Sequence, residues 1–286
     1  MNNPRRPPLS VWPTGQHDSL TQLRDTGCVP GTETDAYRVP PAVAAHAIAI
    51  YTRPGDLVLD PDCGAGTVLN EALRSARHTV GLTAHNGWWA LARANITAAK
   101  TVGSSHDGAV LNAPPNALTT ARAAGLIGRV GLVLTALRTR PDRDRLEAAI
   151  AQLAATFRHC EPLLGRGGHL VAVARPRRYP DGSLVDLPTP VIEAGIAAGL
   201  VPVERCVALT AGLRGSRLVT RASLAERRAA AGPIALTAHH EVLIFRQTRD
   251  TELAAEAAAG IPWLSDGKAI QPAADRVEHT GGRRAA

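Results

Sequence analysis

The chain has 286 residues, enough for one large domain or two small ones, with an ordinary globular balance of 45% hydrophobic and 20% charged residues. Basic residues number 32 against 25 acidic ones, a net charge of +7, and apart from Lys100 and Lys268 every basic residue is arginine. No apolar run reaches the roughly 18 residues of a membrane span, and Met1 to Ser10 is Pro- and Arg-rich without the apolar stretch of a secretory signal. Cys28, Cys63, Cys160 and Cys206 lie far apart, and the ten histidines are scattered, so neither a disulfide framework nor a metal site is expected. A cytoplasmic protein is the expectation. Arginine's planar fork suits phosphates and base edges, which brings in nucleic acid as a partner class, although a G+C-rich coding sequence also replaces lysine by arginine.

Residues 1–34 carry Pro4, Pro7, Pro8, Pro13 and Pro30 without an apolar period, which predicts a flexible arm. From Pro40, Val43, Ala44, Ala47, Ile48 and Tyr51 recur at helical spacing until Pro54-Gly55. Leu57 to Asp60 reads as a buried parallel strand, followed by a glycine turn and a helix through Leu69, Ala72 and Leu73. Thr79–Thr83 predicts a strand, Trp88–Ala99 a helix, and Ala109–Leu111 a short strand. Arg129–Thr135 predicts a strand, Arg143–Leu164 a long helix closed by Gly165, and His169–Ala174 a strand. Pro190–Gly199 reads as a helix, with strands at Val201–Leu209 and Glu241–Arg246. Strands separated by helices specify an α/β layered fold with a mainly parallel sheet. Residues 248–286 read as an appended helix and loose tail, leaving one domain over 35–247.

The sharpest local feature is Asp60-Pro61-Asp62-Cys63-Gly64-Ala65-Gly66-Thr67, between the first strand and its helix. Glycines there let the backbone approach a ligand, and free N–H groups at a helix start favour negative charge. The G-K-[ST] of a triphosphate-binding loop is absent, and a plain tight turn is the structural alternative.

The loop resembles motif I (D-P-F-x-G-S-G-T) of class I S-adenosylmethionine methyltransferases, specifically the DNA amino-methyltransferases acting on cytosine N4 or adenine N6. The segment from Arg38-Val39-Pro40-Pro41 to Tyr51-Thr52-Arg53-Pro54-Gly55-Asp56 resembles what that family places just before motif I. Val80-Gly81-Leu82-Thr83 and Trp88 to Asn95 resemble its second strand and following helix. His106-Asp107-Gly108-Ala109 resembles a G-D-A turn, Leu163 to Val173 the L-x-P-G-G-x-L approach to the fifth strand, and His240 to Phe245 the last strand. The resemblance covers about 35–247 and is strongest over 38–100. It implies a Rossmann-like fold, a mainly parallel seven-stranded sheet with helices on both faces. It also implies S-adenosylmethionine bound by Asp60, Pro61, Asp62, Cys63, Gly64, Gly66, Thr67, Thr83 and Asp107.

Two positions depart from that pattern. Thr83, followed by Ala84 and His85, stands where the family has an acid that accepts bonds from both ribose hydroxyls. Losing a charged acceptor costs about 1.5–3 kcal/mol, so cofactor affinity is expected to fall; Asn86 is a further polar group nearby. At the end of the fourth strand the family carries [DNS]-P-P-[YFW], which accepts the amine's N–H bonds and stacks on the flipped base. Here the strand runs into Thr135-Ala136-Leu137-Arg138, and Thr135 alone retains an acceptor. Asn112-Ala113-Pro114-Pro115-Asn116 looks similar but follows the third strand, and reads as a Pro-rich loop.

Arg205, Arg214, Arg217, Arg221, Arg227 and Arg228 are opposed within their span by Glu226 alone. Arg214, Arg217 and Arg221 are the candidate phosphate contacts of a nucleic-acid partner, against the alternative of a solvated loop. Three readings follow: base N-methylation by family resemblance, a methyltransferase fold that binds or regulates without methyl transfer, and methylation of a different nucleophile. The missing amine clamp favours the second.

Overall fold

Side chains alternate strictly along the central strands, and this divides the interior into two layers. The computed structural model of the protein describes residues 8–117, 124–138, 143–179, 181–229 and 235–247. In β6 (Leu164–Ala174), Leu170, Ala172 and Ala174 face one layer while Val171 and Val173 face the other. In β10 (His239–Gln247), Leu243 and Phe245 oppose Val242 and Ile244 in the same way. A strand apolar on both faces must be covered on both, which is the condition of an α/β sandwich. One layer receives α5 (Arg143–Cys160) and α6 (Pro188–Ala197), with Phe157 against Phe245 at a ring-centroid distance of 5.5 Å. The other receives α2 (Pro41–Tyr51) through Val43, Ala44, Ala47 and Ile48.

The remaining elements are β1 (Val11–Trp12), α1 (Ser19–Asp25), β2 (Leu57–Asp60), α3 (Thr67–Arg74), β3 (His78–Thr83), α4 (Asn86–Thr101), β4 (Gly108–Asn112), β5 (Val130–Ala136), β7 (Leu200–Leu209), β8 (Gly212–Arg214), β9 (Arg217–Val219) and α7 (Leu224–Ala229). The main sheet has eight strands in the order β1-β7-β10-β6-β5-β2-β3-β4. Antiparallel pairing is confined to the two neighbours of β10, and the other pairs are parallel. The α/β, Rossmann-like expectation holds, with eight strands rather than seven.

The additional strand comes from the segment expected to be a flexible arm. Val11 and Trp12 pair in parallel with Val207 and Ala208 of β7, and the Trp12 side chain is fully buried. Two buried carboxamides tie the next residues down. Asn95 accepts from Val29 N–H at 2.8 Å and donates to Thr32 Oγ1 and to the Ala65 carbonyl, while Asn70 donates to the Thr26 carbonyl. Proline density marked an irregular backbone, and side chains from distant helices satisfy its polar groups. The helix expected over Arg143–Leu164 stops at Cys160, because Pro162 sits in a 3₁₀ turn (Glu161–Leu163) and the strand then starts at Leu164. The tail over 248–286 lies outside the described residues. Among the described residues, no helix is long and apolar enough to cross a membrane.

Candidate functional site

The glycine loop lies where β2 delivers its carboxyl end beside β3 and β5. Asp60 is buried at the end of β2 and accepts the Asp62 N–H at 3.1 Å. The turn needs its glycines: φ is +48° at Gly64 and +85° at Gly66, and a Cβ on Gly66 would lie 2.9 Å from the Ala92 backbone on α4. Gly66 N–H returns to the Cys63 carbonyl at 2.8 Å, Cys63 N–H reaches the Leu82 carbonyl at 3.0 Å, and the Thr67 hydroxyl donates to the Val39 carbonyl at 3.0 Å. Pro61 follows Asp60 at the start of the turn, and the Cys63 thiol is buried, which pushes its pKa up.

Two side chains from elsewhere in the chain lie directly on this turn. Asp35 accepts the Ala65 N–H at 3.1 Å and two N–H bonds from Arg138, at 2.9 and 3.0 Å. The Arg138 Nε donates to the Asp62 carbonyl at 3.0 Å and stands 3.4 Å from the Asp62 carboxylate. A Cβ on Gly64 would run into both the Asp35 carboxylate and the Arg138 guanidinium. Two of the loop's backbone groups, the Ala65 N–H and the Asp62 carbonyl, are therefore engaged by the protein itself.

The electrostatics follow from one cation among three carboxyls. Burial alone would raise the Asp35 carboxyl, but the Arg138 charge and hydrogen bonds outweigh it and hold it below its ordinary value. Burial opposes the Arg138 charge, and the surrounding carboxylates, Asp35 foremost, overcome it and raise the pKa. Asp60 has no such close pairing, so burial pushes it up to about 7, with Arg138 offsetting part of the effect. Burial raises Asp62 as well.

The other expected site residues divide by position. Thr83 ends β3 next to the loop, buried, with its hydroxyl oxygen accepting the His85 N–H at 3.3 Å. Thr135 is buried in β5, and a recess of about 40 Å³ lies between it, Asp62, Arg138 and Thr156. Asp107 is misplaced. It precedes β4, its carbonyl accepts the Thr79 N–H at the start of β3, and its side chain is 91% exposed beside His78. That is the opposite end of these parallel strands from the loop, so Asp107 leaves the cofactor set. Asn112, at the carboxyl end of β4 and paired in register with Thr83, stands on the correct edge. Its side chain contacts Asn86 at 3.4 Å.

The basic residues also separate. Arg214 and Arg217 face each other across the β8–β9 hairpin and are exposed. Arg221 is also exposed but is spent on the N-terminal segment, donating to the Gly15 and Gln16 carbonyls, and does not join them. Arg205 pairs with Glu241 of β10, at 3.0 Å, so its charge is not part of an open basic surface.

Residues 2–92 match the family model described as DNA methylase. The crystal structure of TrmN from Thermus thermophilus superposes with a TM-score of 0.51 at 16% identity, over 79% of this chain and 53% of that one. This chain thus spans about half the length of the TrmN chain. A geranyl diphosphate methyltransferase in complex with SAM superposes with a TM-score of 0.50 at 13% identity, over 83% of this chain and 98% of that one. The chain has the α/β fold of these methyltransferases, and its residues 2–92 are similar to the DNA methylase family.

Within this methyltransferase fold, sequence reading located the glycine loop but missed the two residues that cover it. Asp35 lies in a segment without period, and Arg138 sits in the stretch where a different motif was sought. Among the described residues no cluster of His, Cys, Asp and Glu is arranged to hold a metal ion.

Proposed function

We propose that this chain uses the methyltransferase fold as a binding scaffold and does not methylate base amines. The observation that carries this reading is the Asp35–Arg138 pair against Gly64. S-adenosylmethionine is the cofactor implied by the fold, and its amino-acid end would need the loop groups that the pair engages, Ala65 N–H and the Asp62 carbonyl. The residues in this arrangement do not fit it, and Thr83 adds no carboxylate for the ribose. Beyond the loop, Thr135-Ala136-Leu137 supplies neither the carbonyl clamp nor the aromatic platform that amine methylation of a flipped base requires.

Calorimetric titration with S-adenosylmethionine, followed by transfer of labelled methyl groups to DNA, RNA and small-molecule pools, tests the reading. The expected result is no micromolar binding and no labelled product. Micromolar binding together with label in DNA overturns it. A nucleic-acid partner is a compatible second reading, supported by the exposed Arg214 and Arg217 on the hairpin. A salt-dependent gel shift abolished by R214E/R217E supports that partner, and a shift insensitive to both changes sinks it.

A further inference from the structure

A cavity of about 690 Å³ opens at the carboxyl ends of β5, β6 and β7 and the start of β10, where Ala136, Val173, Leu209 and His239 come to one edge. No residue of the Asp60–Thr67 loop lines it. Its outer wall is the N-terminal segment that β1 anchors to the sheet, so the folded arm creates it. The volume falls in the range of small-molecule sites, about 300–1,000 Å³.

The lining is unbalanced in charge. Arg38, Arg175, Arg177 and Arg221 all reach it, whereas among the described residues the one lining carboxylate is Asp18. Asp18 caps α1, accepting the Leu20 and Thr21 N–H groups and the Thr21 hydroxyl, so its oxygens are committed. Arg38 spends Nη1 on the Glu33 and Asp35 carbonyls, yet its buried Nε has no hydrogen-bond partner. The buried Nδ1 of His240 is likewise without one. Arg177 lies over the Tyr37 ring at 5.8 Å. Burial lowers the pKa of both Arg177 and His240, and the neighbouring Arg175 charge lowers each further. Like charges are thus gathered around a cavity with vacant donors, an arrangement that an anion relieves.

We propose that this cavity binds a small organic molecule carrying a phosphate group, with Arg175, Arg177 and His240 around the phosphate and the Tyr37 side of the cavity against the organic part. The reading is independent of whether the glycine loop admits a cofactor, because the two sites share no loop residue.

Calorimetry with a nucleoside 5′-monophosphate, the matching nucleoside and a short 5′-phosphorylated single strand tests it. Binding of the monophosphate is expected, with the nucleoside at least tenfold weaker. R175Q and R177Q are each expected to weaken the monophosphate about tenfold or more, R177K to recover part of the loss, and R214Q/R217Q to change nothing. Circular dichroism and Tm of each variant separate loss of binding from loss of fold, and H240Q gives an additional neutral probe of the same cavity. Absence of monophosphate binding, equal binding of the nucleoside, or indifference to all three cavity substitutions overturns the proposal. So does a single strand that binds a hundredfold tighter and responds to R214Q/R217Q, which assigns the anion to nucleic acid on the hairpin.

Discussion

Arg138 and Asp35, separated by 103 residues in sequence, meet in a two-point ion pair with N···O distances of 2.9 and 3.0 Å on top of the glycine turn. The Asp35 side chain is 1% exposed and that of Arg138 18%, so neither charge has bulk water to fall back on. Removing one partner strands the other, at a cost of about 3–5 kcal/mol for a buried pair. R138A and D35A are each expected to lose stability on that scale in urea unfolding. The double variant D35A/R138A is expected to lose clearly less than the sum of the two. Additive losses would falsify the coupling.

If the pair is what closes the loop, its removal also changes ligand access. D35A/R138A frees the Ala65 N–H and the Asp62 carbonyl without touching any other loop hydrogen bond described for the turn. S-adenosylmethionine is expected to bind this double variant at least tenfold tighter than the parent. Equal affinity in the two proteins, measured by calorimetry, removes the pair as the obstacle.

The pH dependence of stability carries the signature of buried acids. Asp60 and Glu71 are each raised by burial to about 7 in the folded chain. A raised acid contributes stability fully present below its unfolded pKa, near 4, and lost as pH climbs through 7. His169 and His240, both lowered by burial to about 4, act in the opposite sense and add stability as pH rises from about 4 to 6.5. Asp35, held low, acts below pH 4. The difference between D60N and the parent isolates one group: D60N is expected to gain relative stability from about pH 4 to about pH 7 and to level off above that. The shift of roughly 3 units sets an upper limit of about 4 kcal/mol on that gain. A constant difference across that range, in urea midpoints, contradicts a raised Asp60.

Two glycines with the same backbone angle separate conformational strain from packing. Gly55 and Gly66 have φ of +86° and +85°, but a Cβ on Gly55 meets nothing within 4 Å, whereas one on Gly66 meets the Ala92 backbone at 2.9 Å. G55A is expected to cost about 1 kcal/mol, the penalty of a left-handed alanine. G66A carries the same penalty and must also push α4 away, adding about 1–3 kcal/mol of overpacking. Similar losses for the two variants would mean that the α3–α4 contact is soft.

The parts legible in the sequence are those whose signal is local. Leu57-Val58-Leu59-Asp60 followed by glycines announces a strand, a turn and a helix because backbone and burial are decided within a few residues. Each central strand and helix was readable on the same ground, with most ends displaced by a residue or two and the largest shifts, four and five residues, at the end of α5 and the start of β6. What escaped depends on partners far along the chain. The pairing of Trp12, inside the stretch read as a flexible Pro-rich arm, escaped because β7, nearly 200 residues on, supplies its strand partner. Asp107 was drawn to the cofactor by a three-residue likeness, and the parallel register of β3 and β4 shows it at the wrong edge. Arg138 could be seen not to be a clamp, but its grip on Asp35 required the fold.

The N-terminal segment is consequently structural, and its removal exposes a specific surface. Trp12 is fully buried against the α2 layer, with its ring 4.7 Å from that of His46, and Thr14 donates to the Leu209 carbonyl at 2.8 Å. W12A leaves a cavity that the paired β1 and β7 backbones cannot close, so a loss of about 3–5 kcal/mol is expected in urea unfolding. Leu9, three residues earlier, ahead of β1 and 75% exposed, provides the control, and L9A is expected to stay within about 0.5 kcal/mol. Deleting residues 1–17 goes further, because it uncovers the backbone edge of β7 and breaks the wall of the cavity beside Arg175 and Arg177. A free edge of that kind pairs with other chains. The truncated protein is therefore expected to aggregate on size-exclusion chromatography at concentrations where the parent does not. If it elutes as the parent does with an unchanged Tm, the segment is dispensable and β1 adds nothing to the sheet.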